Sequence, residues 1–228
     1  MGRMVRMTTA LILSGTGRYA DPWHPFAETS AAIADLLRDH GLTVETAADV
    51  DTTLEGFQDP AAWPDLLVVN VGLPRDGGAS PGTDAAREGL DAWEAGGRPL
   101  LALHSSATSF VDSESWEAAL GGRWVRDVSM HPEYGAANIL LEGSFPVGIP
   151  DFTLDDERYS WLRTSPDAVV HARHEHEGHL HPLMWSLERP VGTGSARSFY
   201  DALGHDAASY SSPEHRELLK RAVDWLLG

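Results

Sequence analysis

The run Asp65–Gly72, DLLVVNVG, places Leu66, Leu67, Val68 and Val69 in succession and leaves no polar face. A strand of this kind must be covered on both sides, as parallel strands are when helices flank their sheet. Thr8–Ser14, TTALILS, and Arg98–Ser106, RPLLALHSS, have the same character. Helical spacing lies between these runs. In Ala27–His40 the apolar residues Ala31, Ile33, Ala34, Leu36 and Leu37 share a face, and Gly41 is the stop signal. LTVETA, from Leu42, reads as another strand, and TDAAREGLDAWEAGG, from Thr83, as a helix ending at a glycine pair. This alternation predicts a doubly wound α/β sheet, in which ligands bind beyond the carboxyl ends of the strands. Those ends are the loop after Ser14, the loop after Val71 and the segment from His104.

The pattern changes at about residues 121–190. Short apolar segments separated by Gly and Pro predict an antiparallel, hairpin-rich excursion. PEHRELLKRAVDWLL, from Pro213, closes the chain as a helix with Leu218, Leu219, Ala222, Val223 and Leu226 on its apolar face. With 228 residues and no linker or repeat, the chain reads as one domain, residues 1–7 being a tail. Its apolar start is too short for a signal-peptide core, so a cytoplasmic location is expected. No run is long enough to span a bilayer.

Charge and composition narrow the partners. The net charge is −17, from 34 acidic and 17 basic residues. A polyanion or an anionic membrane would be repelled, so no nucleic acid and no membrane partner is expected. A small molecule fits better, and homo-oligomer formation stays open. The absence of cysteine removes thiol nucleophiles and thiolate ligands.

Histidines supply the chemistry. His104 stands where a buried strand ends, and His205, in ALGHD, follows the apolar strand RSFY with Asp206 beside it. His131 lies in MHPE, Glu157 in LDDERY, and His24 in DPWHPF with Trp23 at hand. The most conspicuous histidines are elsewhere, in HARHEHEGHLHP from His171 to Pro182. A two-residue turn at Glu177-Gly178 would put His174, His176, His179 and His181 on one face. Glu-Gly is a poor turn of that kind, so a three-residue turn that disperses them is expected. His181, beside PLMW, then keeps a chance of lining a pocket.

Together, the His24 loop, LLALHSS, LGGRWVRDVSMHP, DFTLDDERY, HPLMW and GSARSFYDALGHDAASYSSPEHRELLKRAVDWLLG resemble the trehalose-utilisation ThuA-like family, within the class I glutamine amidotransferase-like superfamily. The resemblance covers nearly the whole chain. It implies a flavodoxin-like α/β three-layer sandwich with a mostly parallel central sheet. Where amidotransferases carry a nucleophilic Cys, this turn has His104, so thiolate glutaminase chemistry is excluded. The family is associated with catabolism of trehalose and related disaccharides, through 3-keto sugars. The expected function is therefore a carbohydrate-processing enzyme, a hydrolase or lyase, with His104, Glu157, His205 and His131 exchanging protons. Trp23, His24, Ser105, Tyr159, His181, Trp185 and Asp206 are the candidate substrate contacts. Two rivals remain: a hydrolase with a divalent metal such as zinc on His24, His131 and His205, and a non-catalytic sugar-binding or regulatory protein.

Overall fold

The computed structural model describes residues 7–228, so residues 1–6 of the expected tail lie outside the described part. The parallel half of the sheet is built from β1 (Thr9–Ser14), β2 (Thr43–Thr46), β3 (Leu66–Asn70) and β4 (Leu100–Leu103). Every residue of β3 and β4 is buried, as their continuous apolar sequences require. The intervening helices are α1 (Phe26–Asp39), α2 (Val50–Gly56), α3 (Asp84–Ala95) and α4 (Glu114–Leu120). α2 and α4 are too short to show in apolar periodicity. Both are capped in the usual way, Asp49 accepting from the Thr52 N–H and Ser113 from the Trp116 N–H.

The rest of the chain contributes β5 (Gly122–Arg123), β6 (Gly135–Leu141), β7 (Phe152–Asp156), β8 (Arg163–Thr164), β9 (Val169–His176), β10 (His179–Val191), β11 (Gly194–Asp201) and α5 (Pro213–Leu227). β5 and β8 form a separate two-stranded ribbon; the others join one nine-stranded sheet in the order β2-β1-β3-β4-β11-β10-β9-β6-β7. β11 pairs parallel to β4, and every pairing from β11 outward through β10, β9, β6 and β7 is antiparallel. The hairpin-rich segment thus extends the main sheet itself. Among the helices, α1 packs against α5, and α3 packs against both α2 and α4.

The hairpin between β9 and β10 corrects the expected register. His176 pairs with His179 and His174 with His181, across a two-residue turn at Glu177-Gly178. Glu177 and Gly178 have φ of 52° and 77°, the left-handed pair that matches the twist of the flanking strands. Glu175 steadies the turn by accepting the Gly178 N–H at 3.0 Å. The four histidines therefore share one face.

Candidate functional site

The ends of β1, β4 and β11 each deliver a histidine to a common centre, and the end of β7 delivers a carboxylate. After β1, the chain turns over Asp21, whose Oδ1 accepts the Trp23 and His24 N–H groups, both at 2.9 Å. The turn lies close against Gly72, after β3, where a Cβ would come within 2.9 Å of both Asp21 Oδ2 and the Tyr19 carbonyl. At the end of β4, His104 adopts φ 40° as the first residue of a short 3-10 turn, His104–Thr108. That left-handed backbone costs on the order of 1–3 kcal/mol in a non-glycine residue. It is held by the Tyr200 hydroxyl, which donates to the His104 carbonyl at 2.7 Å. After β11, His205 follows Gly204. Glu157 comes from the end of β7, the outermost strand in pairing order. It reaches the centre because β7's carboxyl end lies against the loop after β11, where Asp156 accepts the Gly204 and His205 N–H groups.

His24, His104, Glu157 and His205 each offer a ligand atom within 4.8 Å of the others, the one such group of metal-ligating side chains among the described residues. Glu157 Oε2 lies 3.3 Å from His104 Nε2, 3.3 Å from His205 Nδ1 and 4.0 Å from His24 Nε2. The outer nitrogens are committed elsewhere. His104 Nδ1 is 2.7 Å from the Ala202 carbonyl, which can only accept, so Nδ1 carries the proton. His24 Nδ1 sits 2.8 Å from Asp21 Oδ2 and donates to it. In its neutral form each of these rings turns an Nε2 lone pair inward. His24 Nε2, His104 Nε2 and His205 Nδ1 are buried and have no hydrogen-bond partner. Imidazoles backed by a carboxylate or carbonyl, with the free nitrogen facing inward, are arranged as metal-ligating histidines are.

Burial alone would raise the Glu157 carboxyl, but His104 and His205 outweigh it and hold it well below the usual carboxylate range. Glu157 in turn raises His205, by hydrogen bonding first and by its charge second, against the effect of burial. Burial, then the neighbouring His104, lowers His24. Asp21 and Glu157 have only histidines as ion-pair partners among the described residues, and the fully buried Asp156 has none. Among the described residues, no Lys or Arg forms an ion pair with Asp21, Asp156 or Glu157.

The other candidates divide around this centre. His131, expected among the metal ligands, stands outside the set; its Nε2 is 3.6 Å from Glu157 Oε1, and His104 takes the place assigned to it. Its Nδ1 lies 3.0 Å from the Pro132 carbonyl. Tyr159 is also a correction: it is buried, with its ring tilted against His104 at 4.3 Å between centroids and edge-on to Trp124 at 4.8 Å, so it supports the centre from within and does not offer a face to a substrate. Asp206 accepts from the Tyr134 hydroxyl at 2.9 Å, and Tyr134 faces the His205 ring. Trp23 is exposed, with Arg75 over its ring at 4.3 Å. Ser105 is buried and donates to the Val71 carbonyl at 3.0 Å. Trp185 is a correction: it is fully buried, packed on Tyr200, and donates to the Leu120 carbonyl, so it offers no face to a ligand. His181 is also buried, accepting the Trp161 N–H in the hairpin away from the centre. Sequence reasoning missed Asp21, whose contribution lies in which backbone and ring N–H groups it accepts.

A mixed α/β sheet with a histidine–carboxylate centre gathered over its strand ends is the class of protein these features define. Residues 9–226 match the ThuA family, described as trehalose utilisation, and the chain belongs to that family. No curated protein matches the chain. Among solved structures, a ThuA-like protein from Parabacteroides merdae aligns with a TM-score of 0.74 at 14% identity, over 97% of this chain and 90% of that one. A ThuA-like protein from Bacteroides uniformis aligns with a TM-score of 0.71 at 14% identity, over 99% and 94%. Gan42B, a GH42 β-galactosidase, contains a similar fold (TM-score 0.60, 12% identity), this chain matching over 97% of its length and covering 30% of the larger protein. These likenesses show the fold. Among the described residues, no helix is long and apolar enough to cross a membrane.

Proposed function

We propose that this protein is a divalent-cation-dependent, carbohydrate-processing enzyme whose centre is His24, His104, Glu157 and His205. The observation that carries the reading is the convergence of three orphaned imidazole nitrogens and one carboxylate, two of the imidazoles fixed from behind by Asp21 and the Ala202 carbonyl. A nitrogen-rich donor set with one carboxylate suits zinc or a similar borderline ion. Such an ion would supply Lewis-acid polarisation of a substrate oxygen.

The chain's own residues do the rest. His131 has its Nδ1 engaged with a carbonyl and its Nε2 turned toward Glu157 at the rim, where a half-exposed imidazole can pass a proton to or from a sugar. Trp124, half-buried, gives an aromatic face that a sugar ring can pack against, and the buried Tyr159 backs it from within. Family membership supports a carbohydrate-related role. Disaccharides or their 3-keto derivatives are the substrates this reading favours, with hydrolysis or elimination as the reaction. The two helix groups support a flavodoxin-like layering beneath the centre.

A metal-free reading is favoured by one observation: His104 and His205 stand 3.3 Å from the same Glu157 oxygen, where they could exchange protons directly. Turnover of 3-keto-trehalose before and after chelation decides between them. Activity lost on chelation and restored by a divalent ion supports the cation reading. Full activity after chelation, with no metal in the protein, supports the acid–base reading. Binding without turnover would make the protein a sugar binder.

A further inference from the structure

We propose that Asp156 is the positioning residue of the centre, holding Glu157 and His205 at the spacing that a shared cation requires. The inference rests on the cation reading and deepens it. The Asp156 side chain is fully buried. Its Oδ1 accepts the N–H of Glu157 at 2.8 Å and that of His205 at 3.1 Å, and its Oδ2 accepts the N–H of Gly204 at 2.8 Å. One carboxylate thus ties together the two arms that bring in a ligand each, one from the end of β7 and one from the loop after β11.

The loop after β11 is suspended almost wholly from carboxylates. Asp201 accepts the Leu203 N–H at 2.9 Å, and Asp156 takes the next two. Gly204 makes this path feasible: its φ is 103°, and a Cβ there would collide with the Tyr210 hydroxyl. A carboxylate is the side chain this task needs, because both of its ends accept. An asparagine would turn an NH2 group toward either the Gly204 N–H or the pair from Glu157 and His205, leaving donor against donor. His104 and His24 are fixed independently, by Ala202 and Asp21, so losing Asp156 should loosen half of the donor set and leave the other half in place.

The test is Co(II) titration of wild type, Asp156→Asn and Glu157→Gln, followed by visible absorption, together with amide exchange at Gly204 and His205. Asp156→Asn should keep its far-UV circular dichroism, bind Co(II) about 10–100-fold more weakly, and show an altered ligand-field band. Wild-type affinity and spectrum in Asp156→Asn would overturn the proposal. If wild type binds no Co(II) or Zn(II), the cation reading fails on its own. Exchange at Gly204 and His205 then still reports: faster exchange confined to that loop in Asp156→Asn supports the positioning role, and unchanged exchange overturns it. Should Asp156→Asn fail to fold, Asp156→Glu, which keeps the charge but moves it, takes its place. Failure of both to fold assigns Asp156 to the fold and overturns the proposal.

Discussion

Glu94 offers a stability test whose size follows from the structure. It lies on α3, is 3% exposed, and neither carboxylate oxygen has a hydrogen-bond partner. Arg189 is near, yet its Nη2 donates to the main-chain carbonyl of Glu94, at 2.9 Å. Burial is the largest influence and raises the carboxyl from 4.5 to about 7. The folded state therefore holds this proton more tightly than the unfolded state does. Stability is full below about pH 4.5, falls as pH rises toward 7, and is flat above that. At about 1.4 kcal/mol per pH unit, the penalty at alkaline pH is about 3 kcal/mol. Glu94→Gln carries no charge at any pH. Any cost of fitting the amide applies equally at all pH values, so the pH dependence of the difference isolates the carboxylate. Urea unfolding at pH 4.5 and pH 8.5 should show the variant gaining about 3 kcal/mol on wild type between the two. That corresponds to roughly 6–12 °C in Tm for a chain of this size. A constant difference, or a variant that loses ground at pH 8.5, would mean the carboxylate is paired with Arg189 and would refute the reasoning.

Three further outcomes are expected. His215 and Asp201 form a fully buried pair at 2.6 Å, and the His215 Nδ1 faces the Ser209 carbonyl; burial lowers His215, but Asp201 outweighs it and the net shift is upward. The pair's contribution is therefore full below about pH 6.5 and lost as pH rises through the raised value; Asp201→Asn should cost about 3–5 kcal/mol at pH 6 by urea unfolding, and less at pH 9. Asp21→Asn removes the carboxylate that fixes the His24 ring, and isothermal titration should show a cation affinity about 10–100-fold weaker. His131→Gln lies outside the donor set, so it should lower kcat by about 100-fold or more while leaving cation affinity unchanged.

The parts of the fold legible in the sequence are those where one physical demand dominates. β1, β3 and β4 could be read because a strand covered on both faces must be apolar throughout, and α1 and α5 because their apolar residues recur at helical spacing. α2 and α4 span seven residues each, too few for periodicity, and only their caps at Asp49 and Ser113 give a local signal. The hairpin turn is not legible in the sequence because the left-handed strain at Glu177 is outweighed by strand pairing on both sides. At the centre, strand ends pointed to His24, His104 and His205 from the sequence pattern alone. Which histidine completes the donor set could not be read there. His131 and His104 differ only in where the chain carries them, and Glu157 reaches the centre because the antiparallel strands return to the β11 loop. The crowded histidines of the hairpin share a face, yet they do not converge as the ligand atoms of His24, His104, His205 and Glu157 do.

The central claim is that His24, His104, Glu157 and His205 form a cation site. Its most direct test is the metal content of untagged protein, by mass spectrometry, after exposure to equimolar zinc and desalting. The proposed cation site predicts one ion per wild-type chain and none in a His104→Ala, Glu157→Gln double variant that keeps its fold. A wild-type chain that retains no ion, or a double variant that retains one as wild type does, would contradict it.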